Sequence, residues 1–391
     1  MTRNVWVLML AQAFAMCAAP LVVFAGGLIG KQLATDSSFA TLPVAAMVIG
    51  TAVAVYPAAS IASRYGRKLV FLGAMLIGLA GSLVAVFSIQ MESFSGFVVA
   101  AVLIGVVLAC IQQFRFAAME SVKSDFMPVA ASRLLLAGIV AAYLGPELVT
   151  LGLGIHQQTF VGAFYLLGGC FIIAFLFLLF GYRNIELKIV KEEGEPRSFS
   201  EMLSNPGILL AMGSASVGYA VMSFIMTATP ISMHELNNYS LEETKWVIQS
   251  HILAMFVPSL FSGWLVKKLG FIAMMWTGLA IYAICLLIAY WDQALVHYWG
   301  ALVLLGLGWN LLFVSGTALL PQMHQANETH SVQGLNDLMV FSIQAVAALG
   351  SGALLILLGW QGVVLVSLPI MAILVLLLLN WRRVEKLKAT S

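Results

Sequence analysis

The chain has 391 residues, of which 61% are hydrophobic and only 9% are charged, with a formal net charge of +2. Water-soluble proteins carry roughly a quarter of their residues as charged side chains, so this composition excludes a soluble fold and indicates lipid as the solvent. The small net charge gives no reason to expect a nucleic-acid partner.

Apolar segments long enough to cross a bilayer recur along the whole chain. A hydrocarbon core about 30 Å thick requires ~20 apolar residues per helix. The sequence predicts an all-α membrane protein with twelve transmembrane helices. The predicted spans are 5–29, 40–62, 69–90, 94–118, 131–153, 160–182, 207–230, 246–266, 271–290, 296–318, 331–357 and 361–381. The first span has no small-residue cleavage site after it, so we expect a retained helix rather than a signal peptide.

One strongly charged segment interrupts the apolar pattern near the middle of the chain. Nine charged side chains lie between Arg183 and Glu201. Such a segment is typical of a solvated linker, and the apolar regions on its two sides have nearly equal lengths. We therefore predict an N-terminal six-helix bundle at 1–182, a linker at 183–206 and a C-terminal six-helix bundle at 207–391.

The positions of lysine and arginine predict the orientation. With the N-terminus inside, sixteen of these residues lie in cytoplasmic segments, and only Lys31 and Lys245 lie outside. This bias follows the positive-inside rule and requires an even number of helices in each half. We expect a multi-pass protein of the bacterial inner membrane with both termini in the cytoplasm.

Two loops at corresponding positions indicate an internal repeat. The loop after the second span reads ASIASRYGRK and ends at Lys68, and the loop after the eighth span reads GWLVKKLG and ends at Gly270. In each loop a small residue is followed by a cation and then by Gly66 or Gly270. Each match alone is weak, but together they favour duplication of a six-helix unit.

These residues resemble the major facilitator superfamily over the whole chain. Arg64, Gly66, Arg67 and Lys68 match the superfamily's signature after the second helix, whereas Ser63 replaces its aspartate. The resemblance implies that this loop controls a cytoplasmic gate. The gate residues that we expect are Arg64, Gly66, Arg67, Arg115, Glu120 and Arg133. On the fifth span, Gly145 and Pro146 are similar to a Gly-Pro motif of proton-driven drug antiporters.

The resemblance also implies a solute site near the midplane, between two halves that rock about it. In this family the first, fourth, seventh and tenth helices line the cavity. The polar and aromatic candidates there for substrate binding are Gln12, Gln112, Gln113, Tyr219, Trp309 and Asn310. Trp309 beside Asn310 offers a stacking plane next to an amide, although helix packing explains most aromatic residues at this depth.

Ionisable side chains inside spans are costly and need a reason. The family's arrangement makes the fifth and eighth helices neighbours, which places Glu147 and His251 at one depth. They are interpreted either as a proton-linked pair or as a contact of the periplasmic gate. Asp337 is a third candidate for proton coupling, and capping or a gate contact are alternatives. Arg115 either meets an anionic substrate group or pairs with Glu120 or Asp125.

The leading functional prediction is a secondary active transporter of a small organic solute, coupled to protons and leaning towards efflux by antiport. The alternatives are uptake of a small metabolite or vitamin, with or without proton coupling, and a transporter-like sensor. No phosphate-binding loop is present, and the six histidines are scattered, so we expect neither ATP use nor an enzyme. We expect no cofactor or metal, and a monomer whose partners are its substrate, protons and the bilayer. The sparse charge favours neutral, amphipathic or singly charged solutes.

Overall fold

A computed structural model describes residues 2–123, 126–184, 199–325 and 328–390. These residues form helices and connecting turns and contain no strand. Residues 185–198 of the predicted linker lie outside the described residues, as does Asp125.

The described part of the first half contains seven α-helices and a short 3₁₀ helix at Ser37–Phe39. The first span is divided in two at Met16 and Cys17, whereas the others are continuous. The elements are α1 (Arg3–Ala15), α2 (Ala18–Leu33), α3 (Leu42–Tyr65), α4 (Arg67–Gln90), α5 (Phe94–Glu120), α6 (Met127–Gly152) and α7 (Val161–Gly181). We call this group the N-half.

The second half follows a short helix, α8 (Phe199–Ser204), and we call it the C-half. Its elements are α9 (Pro206–Pro230), α10 (Leu241–Phe256), α11 (Ser262–Leu269), α12 (Phe271–Trp291), α13 (Leu295–Leu319) and α14 (Thr329–Thr390). One π-helical segment, Ile231–Leu236, extends α9, and a 3₁₀ turn at Val257–Phe261 separates α10 from α11. The helix α14 holds two spans that meet at Gly359, where φ is 69°.

The all-α fold with twelve spans is confirmed. Ten described segments are each long and apolar enough to cross a membrane, and the last of them, 332–384, is long enough for two crossings. The remaining span consists of α10 and α11, which the turn at Val257–Phe261 interrupts. Its start differs from the prediction, because Ser240 caps α10 through a capping box with Glu243 and thereby brings Lys245 into the helix.

The internal repeat is visible in the backbone of the two related loops. Gly66 joins α3 to α4 with φ 88° and ψ 151°, and Gly270 joins α11 to α12 with φ 75° and ψ 162°. Both conformations strain any residue with a Cβ. The same dihedrals, 204 positions apart, support the duplicated unit.

Close helix packing follows from glycines at corresponding crossings. A Cβ on Gly105 of α5 would overlap the carbonyl oxygen of Met47 on α3, and a Cβ on Gly306 of α13 would overlap that of His251 on α10. Met47 and His251 are also 204 positions apart. Because lipid gives helices no hydrophobic drive to associate, small residues at crossings allow the backbone approach that supplies packing energy.

Candidate functional site

The bundle has two ends, which we name by the chain. The linker side carries the start of α1, the Gly66 loop and the ends of the segment joining the halves. The far side carries the connection between α2 and α3 and the π-helical segment after α9. Connections alternate between these two ends, as expected for consecutive membrane-spanning helices.

Polar contacts between the halves lie towards the far side. Lys31 Nζ lies 3.3 Å from Glu235 Oε2, which joins α2 to the π-helical segment. Thr41 donates to the carbonyl oxygen of Leu349 at 3.2 Å, which joins the start of α3 to α14. A cavity of about 230 Å³ lies beside these contacts and includes Lys31 and Leu355 in its lining. The halves are therefore in contact at this end.

Glu147 is the centre of a third set of contacts between the halves. Lys245 Nζ lies 3.1 Å from its carboxylate oxygens, and Gln249 Nε2 donates to Oε1 at 3.1 Å. Gln249 also donates to the carbonyl oxygen of Tyr143 at 2.8 Å. The side chains of Lys245 and Glu147 are only 7% and 19% exposed, so water screens their attraction weakly. We call Glu147, Lys245 and Gln249 the α6–α10 cluster.

His251 lies apart from this cluster. Its ring Nδ1 is 2.7 Å from the carbonyl oxygen of Leu302 on α13, and the side chain is completely buried. Successive residues turn by 100° around a helix, so the directions of His251 and Gln249 differ by about 160° and the two side chains lie on nearly opposite faces of α10. The depth predicted for Glu147 and His251 did not determine which face of α10 meets α6. In this structure Lys245 and Gln249 are the partners of Glu147.

On the linker side, three ionisable side chains from different helices approach one another. Arg115 of α5, Asp337 of α14 and Tyr219 of α9 lie within electrostatic reach, and the arginine and the aspartate lie beyond ion-pair distance. Arg115 remains accessible to solvent although it lies deep in the bundle, and Asp337 is half-buried. Two accessible side chains of opposite charge, one from each half, are therefore near each other. We call these three residues the central cluster.

Three aromatic rings stand beside the central cluster. Trp309 and Phe313 stack with their ring centres 4.9 Å apart, and Tyr219 meets them edge-on at 5.1 and 5.5 Å. Trp309 is buried, and its indole Nε1 has no hydrogen-bond partner among the described residues. Tyr219 and Phe313 remain partly accessible. We call Tyr219, Trp309 and Phe313 the aromatic cluster.

The other predicted binding residues have different surroundings. Asn310 donates to the carbonyl oxygen of Met255 at 2.7 Å and to Ser259 Oγ at 2.5 Å, so its amide nitrogen holds the turn between α10 and α11. Gln12 donates to the carbonyl oxygen of Leu134 at 3.1 Å. Gln112 is exposed.

Two of the predicted gate residues, Arg67 and Glu120, bind each other, and the others have separate surroundings. Arg67 forms a bidentate ion pair with Glu120, at 2.9 Å from Nε and 2.5 Å from Nη2, and donates to Gln113 Oε1 at 3.2 Å. These bonds join α4 to α5 within the N-half. Glu120 therefore pairs with Arg67, and Arg115 instead lies over the ring of Phe116 at 5.2 Å.

The signature loop is held against the end of α7. Asn184 Oδ1 accepts from the backbone N–H of Lys68 at 2.9 Å, and its amide nitrogen would lie 2.7 Å from a Cβ on Gly66. Lys68 Nζ donates to the carbonyl oxygen of Leu179 at 2.8 Å. Arg64 is exposed, and the Arg133 guanidinium lies 4.6 Å from the ring centre of Trp6.

Sequence reasoning missed the partners that complete these clusters. Lys245 and Gln249 were not considered because the first lay outside the predicted span and the second is uncharged. Their four-residue spacing on one face of a helix was the available signal. Phe313 stands four residues after Trp309, which is the same signal.

Comparison with known sequences connects this geometry to a family. The sequence model of the Major Facilitator Superfamily matches residues 8–230 and 211–391, which together extend over nearly the whole chain. The chain belongs to the major facilitator superfamily. The two matches overlap at 211–230, within α9, and the presence of two matches agrees with the repeated loops.

Members of the superfamily are similar to this chain along most of its length. The riboflavin transporter RfnT of Brucella anthropi is 33% identical over 375 residues, covering 95% of this chain and 94% of that protein. The uncharacterized MFS-type transporter YddS of Bacillus subtilis is 28% identical, covering 90% of this chain and 84% of its own length. This member of the superfamily is thus a multi-pass membrane transporter and not an enzyme.

Solved structures share the fold at low sequence identity. The POT family transporter PepTSo superposes with a TM-score of 0.76 at 13% identity, covering 98% of this chain and 99% of that one. A bacterial homologue of the human lysosomal transporter Spinster, in an inward-facing and occupied conformation, gives 0.74 at 13% identity, covering 97% and 96%.

Proposed function

We propose that this protein is a secondary active transporter that takes up a small, largely uncharged organic solute by alternating access, with a vitamin of the riboflavin type as the first candidate. The observation that carries the proposal is the contrast between the two ends of the bundle. The halves bond to each other at the far side, whereas Arg115 and Asp337, one from each half and nearer the linker side, remain accessible and form no ion pair with each other. This is the geometry of a carrier open to one side.

Uptake replaces efflux as the preferred direction. The lean towards efflux depended on Gly145 and Pro146, but a Cβ on Gly145 would lie 2.7 Å from the carbonyl oxygen of Cys17. This glycine thus has a packing role at the break between α1 and α2. The similarity to a riboflavin transporter favours a vitamin over a drug.

The orientation of the protein in the inner membrane remains part of the proposal. Lysine and arginine concentrate on the linker side, which we assign to the cytoplasm. Reporter fusions after Ser198 and after Ser391 should both report cytoplasm, and a fusion near Asn237 should report the outside. A periplasmic signal from the C-terminal fusion would contradict this orientation.

Proton coupling is assigned to Glu147. Its partners Lys245 and Gln249 belong to the other half, so the environment of the carboxylate changes when the far side opens. Its other hydrogen-bond partner, Thr150 at 3.3 Å, lies on the same helix and stays with it. Opening changes both the cation beside this carboxylate and its hydration, and both affect protonation, which links the proton to the movement of the halves.

The test is flux of radiolabelled riboflavin into proteoliposomes, with and without an imposed pH gradient. We expect accumulation driven by the gradient. Glu147→Gln should retain exchange of internal for external substrate but lose accumulation, and Glu242→Gln serves as the matched control. Full accumulation by Glu147→Gln would exclude this carboxylate as the proton carrier, and Asp337 would be tested next.

Binding of riboflavin without any flux would refute transport and favour a sensor. Flux of other small metabolites but not of riboflavin would refute the substrate assignment alone. The purified protein should elute as a monomer in detergent, since one chain contains both halves of the site.

A further inference from the structure

The central cluster presents opposite charges across one space. Arg115 belongs to the N-half and Asp337 to the C-half, and neither forms an ion pair with another residue that the structure describes. Asn336 donates to Asp337 Oδ1 at 3.1 Å, which leaves the second carboxylate oxygen open to another donor. The guanidinium has donors and no acceptor, and the ionised carboxylate has acceptors and no donor.

A ligand between these two groups must satisfy both. An anion would be attracted to Arg115 and repelled by Asp337, and a cation would meet the reverse. A ligand without net charge fits both partners, either as a zwitterion or as a neutral group with an acceptor beside a donor. In the neutral group a carbonyl oxygen accepts from the guanidinium while an adjacent N–H donates to the carboxylate, and the flat surface of the aromatic cluster favours this form. The rim of a cyclic imide or cyclic urea has this arrangement.

The aromatic cluster supplies a surface for the rest of such a ligand. The Tyr219 and Phe313 rings are partly accessible, and Tyr219 also belongs to the central cluster. Aromatic side chains prefer offset or edge-on contact with a flat ring, at about 0.5–1.5 kcal/mol per pair beyond area burial. The buried Trp309 holds both partly accessible rings in place through stacking and an edge contact.

We infer that the protein binds, between its two halves, an uncharged planar heterocycle through its imide or cyclic urea edge, with Arg115 donating to a carbonyl, Asp337 accepting from the ring N–H and Tyr219 and Phe313 contacting the ring. This inference rests on the proposed function and names the substrate class of the same site. It assigns recognition to one residue from each half, so the ligand itself joins the halves.

The test removes the N–H from the ligand and its acceptor from the protein. Binding of lumichrome and of its N3-methyl derivative is measured by tryptophan fluorescence quenching in purified wild-type protein and in Asp337→Ala. We expect methylation to weaken wild-type binding by ~10-fold or more, because it removes a hydrogen bond to a charged group. In Asp337→Ala the two compounds should bind within about 2-fold of each other, since the acceptor is gone.

Control variants separate recognition from folding. Asp292→Ala removes an exposed carboxylate and should keep the wild-type preference. Phe313→Ala should weaken both compounds equally, since it removes ring contact alone. Equal thermal stability of wild type and Asp337→Ala shows that the variant is folded, and a much less stable variant is replaced by Asp337→Asn, which should reduce the preference.

Three outcomes overturn the inference: an equal effect of methylation with and without Asp337, no binding of either compound, or tighter binding of tryptophan, an aromatic zwitterion that could also satisfy both charges. These outcomes differ from failure of the proposed function. Riboflavin flux without dependence on the ring N–H leaves transport standing and removes the imide edge. Selective binding without flux keeps the site and removes transport.

Discussion

Separation of the halves at the far side should depend on the charge of Lys245. The α6–α10 cluster contributes two contacts from Glu147 and one from the Tyr143 carbonyl to the closed far side. Breaking a buried ion pair by removing one partner costs about 3–5 kcal/mol, because a charge remains without compensation. Glu147 keeps Gln249 and is 19% exposed, so we expect the lower part of that range for Lys245→Met.

Glu147→Gln should have a smaller effect. The amide keeps the geometry and can still bond to its neighbours, so the loss is the difference between a charged and a neutral hydrogen bond, about 1–2 kcal/mol. This free energy corresponds to a roughly 5- to 30-fold shift towards the state with an open far side. Adding Glu147→Gln to Lys245→Met should recover part of the loss, because no uncompensated carboxylate then remains.

The assay is maleimide labelling of Leu355→Cys in nanodiscs, where both faces are accessible. Leu355 is 2% exposed and lines the far-side cavity, so labelling requires the halves to separate there. The four native cysteines are buried, which keeps background labelling low. We expect labelling to be slowest in the protein with native Glu147 and Lys245, faster in Glu147→Gln and fastest in Lys245→Met.

Glu242→Gln is the matched control for this experiment. Glu242 also pairs with Lys245, at 2.5 Å, but it lies on the same helix and its side chain is 69% exposed. An exposed pair contributes ~0–1 kcal/mol, so this variant should label almost as slowly as wild type. Equal labelling rates in Lys245→Met and wild type would refute the role of the cluster in far-side closure.

Three further variants test the loop, His251 and Asn310. Gly66→Val should abolish riboflavin flux while expression persists, because it strains a positive φ by about 1–3 kcal/mol and its side chain meets Asn184. Gly270→Val is the control, since a side chain there has open space and should cost less. Normal flux in Gly66→Val would exclude this loop from the mechanism. His251→Leu should lower thermal stability by about 1 kcal/mol and leave the pH dependence of flux unchanged, since the ring bonds Leu302 and not Glu147; a shifted pH profile would restore His251 to the coupling step. Asn310→Leu should lower the free energy of unfolding by about 1–3 kcal/mol, because the Met255 carbonyl and Ser259 lose their hydrogen-bond donor. Its melting temperature should be lower than that of the control Asn336→Leu. An unchanged melting temperature would contradict a structural role.

The sequence was sufficient for the fold because each span is a continuous apolar segment. Hydropathy placed the boundary between the last two spans at 358–360, and the backbone departs from helical geometry at Gly359. It did not predict the breaks at Met16 or Val257–Phe261, since apolar composition continues through both. Asn310 holds the break at Val257–Phe261 through hydrogen bonds of its side chain, and such a break does not change the hydropathy of the segment.

Side-chain partners were less accessible to sequence reasoning than depth. The positions of Glu147 and His251 along their helices were enough to place both near the far side. The rotation of α10 decides which residue meets α6, and it depends on packing against α13 through Gly306. The depth of a residue in the membrane follows from its position along its own helix. The rotation of a helix about its axis depends on contacts with segments that are distant in the sequence.

Lys245 has one carboxylate from its own helix and one from the opposite half, and this asymmetry has a consequence for electrical work across the membrane. When the halves part, the lysine keeps Glu242 and remains compensated, so the C-half separates as a nearly neutral surface. The N-half surface is left with the carboxylate of Glu147. If that carboxylate takes up a proton, the N-half surface also becomes neutral, and the carrier loaded with proton and substrate then reorients with little charge displaced through the field. The membrane voltage would therefore bias the reorientation step weakly. Its work on the transported proton would act instead in the steps that bring the proton to Glu147 and release it.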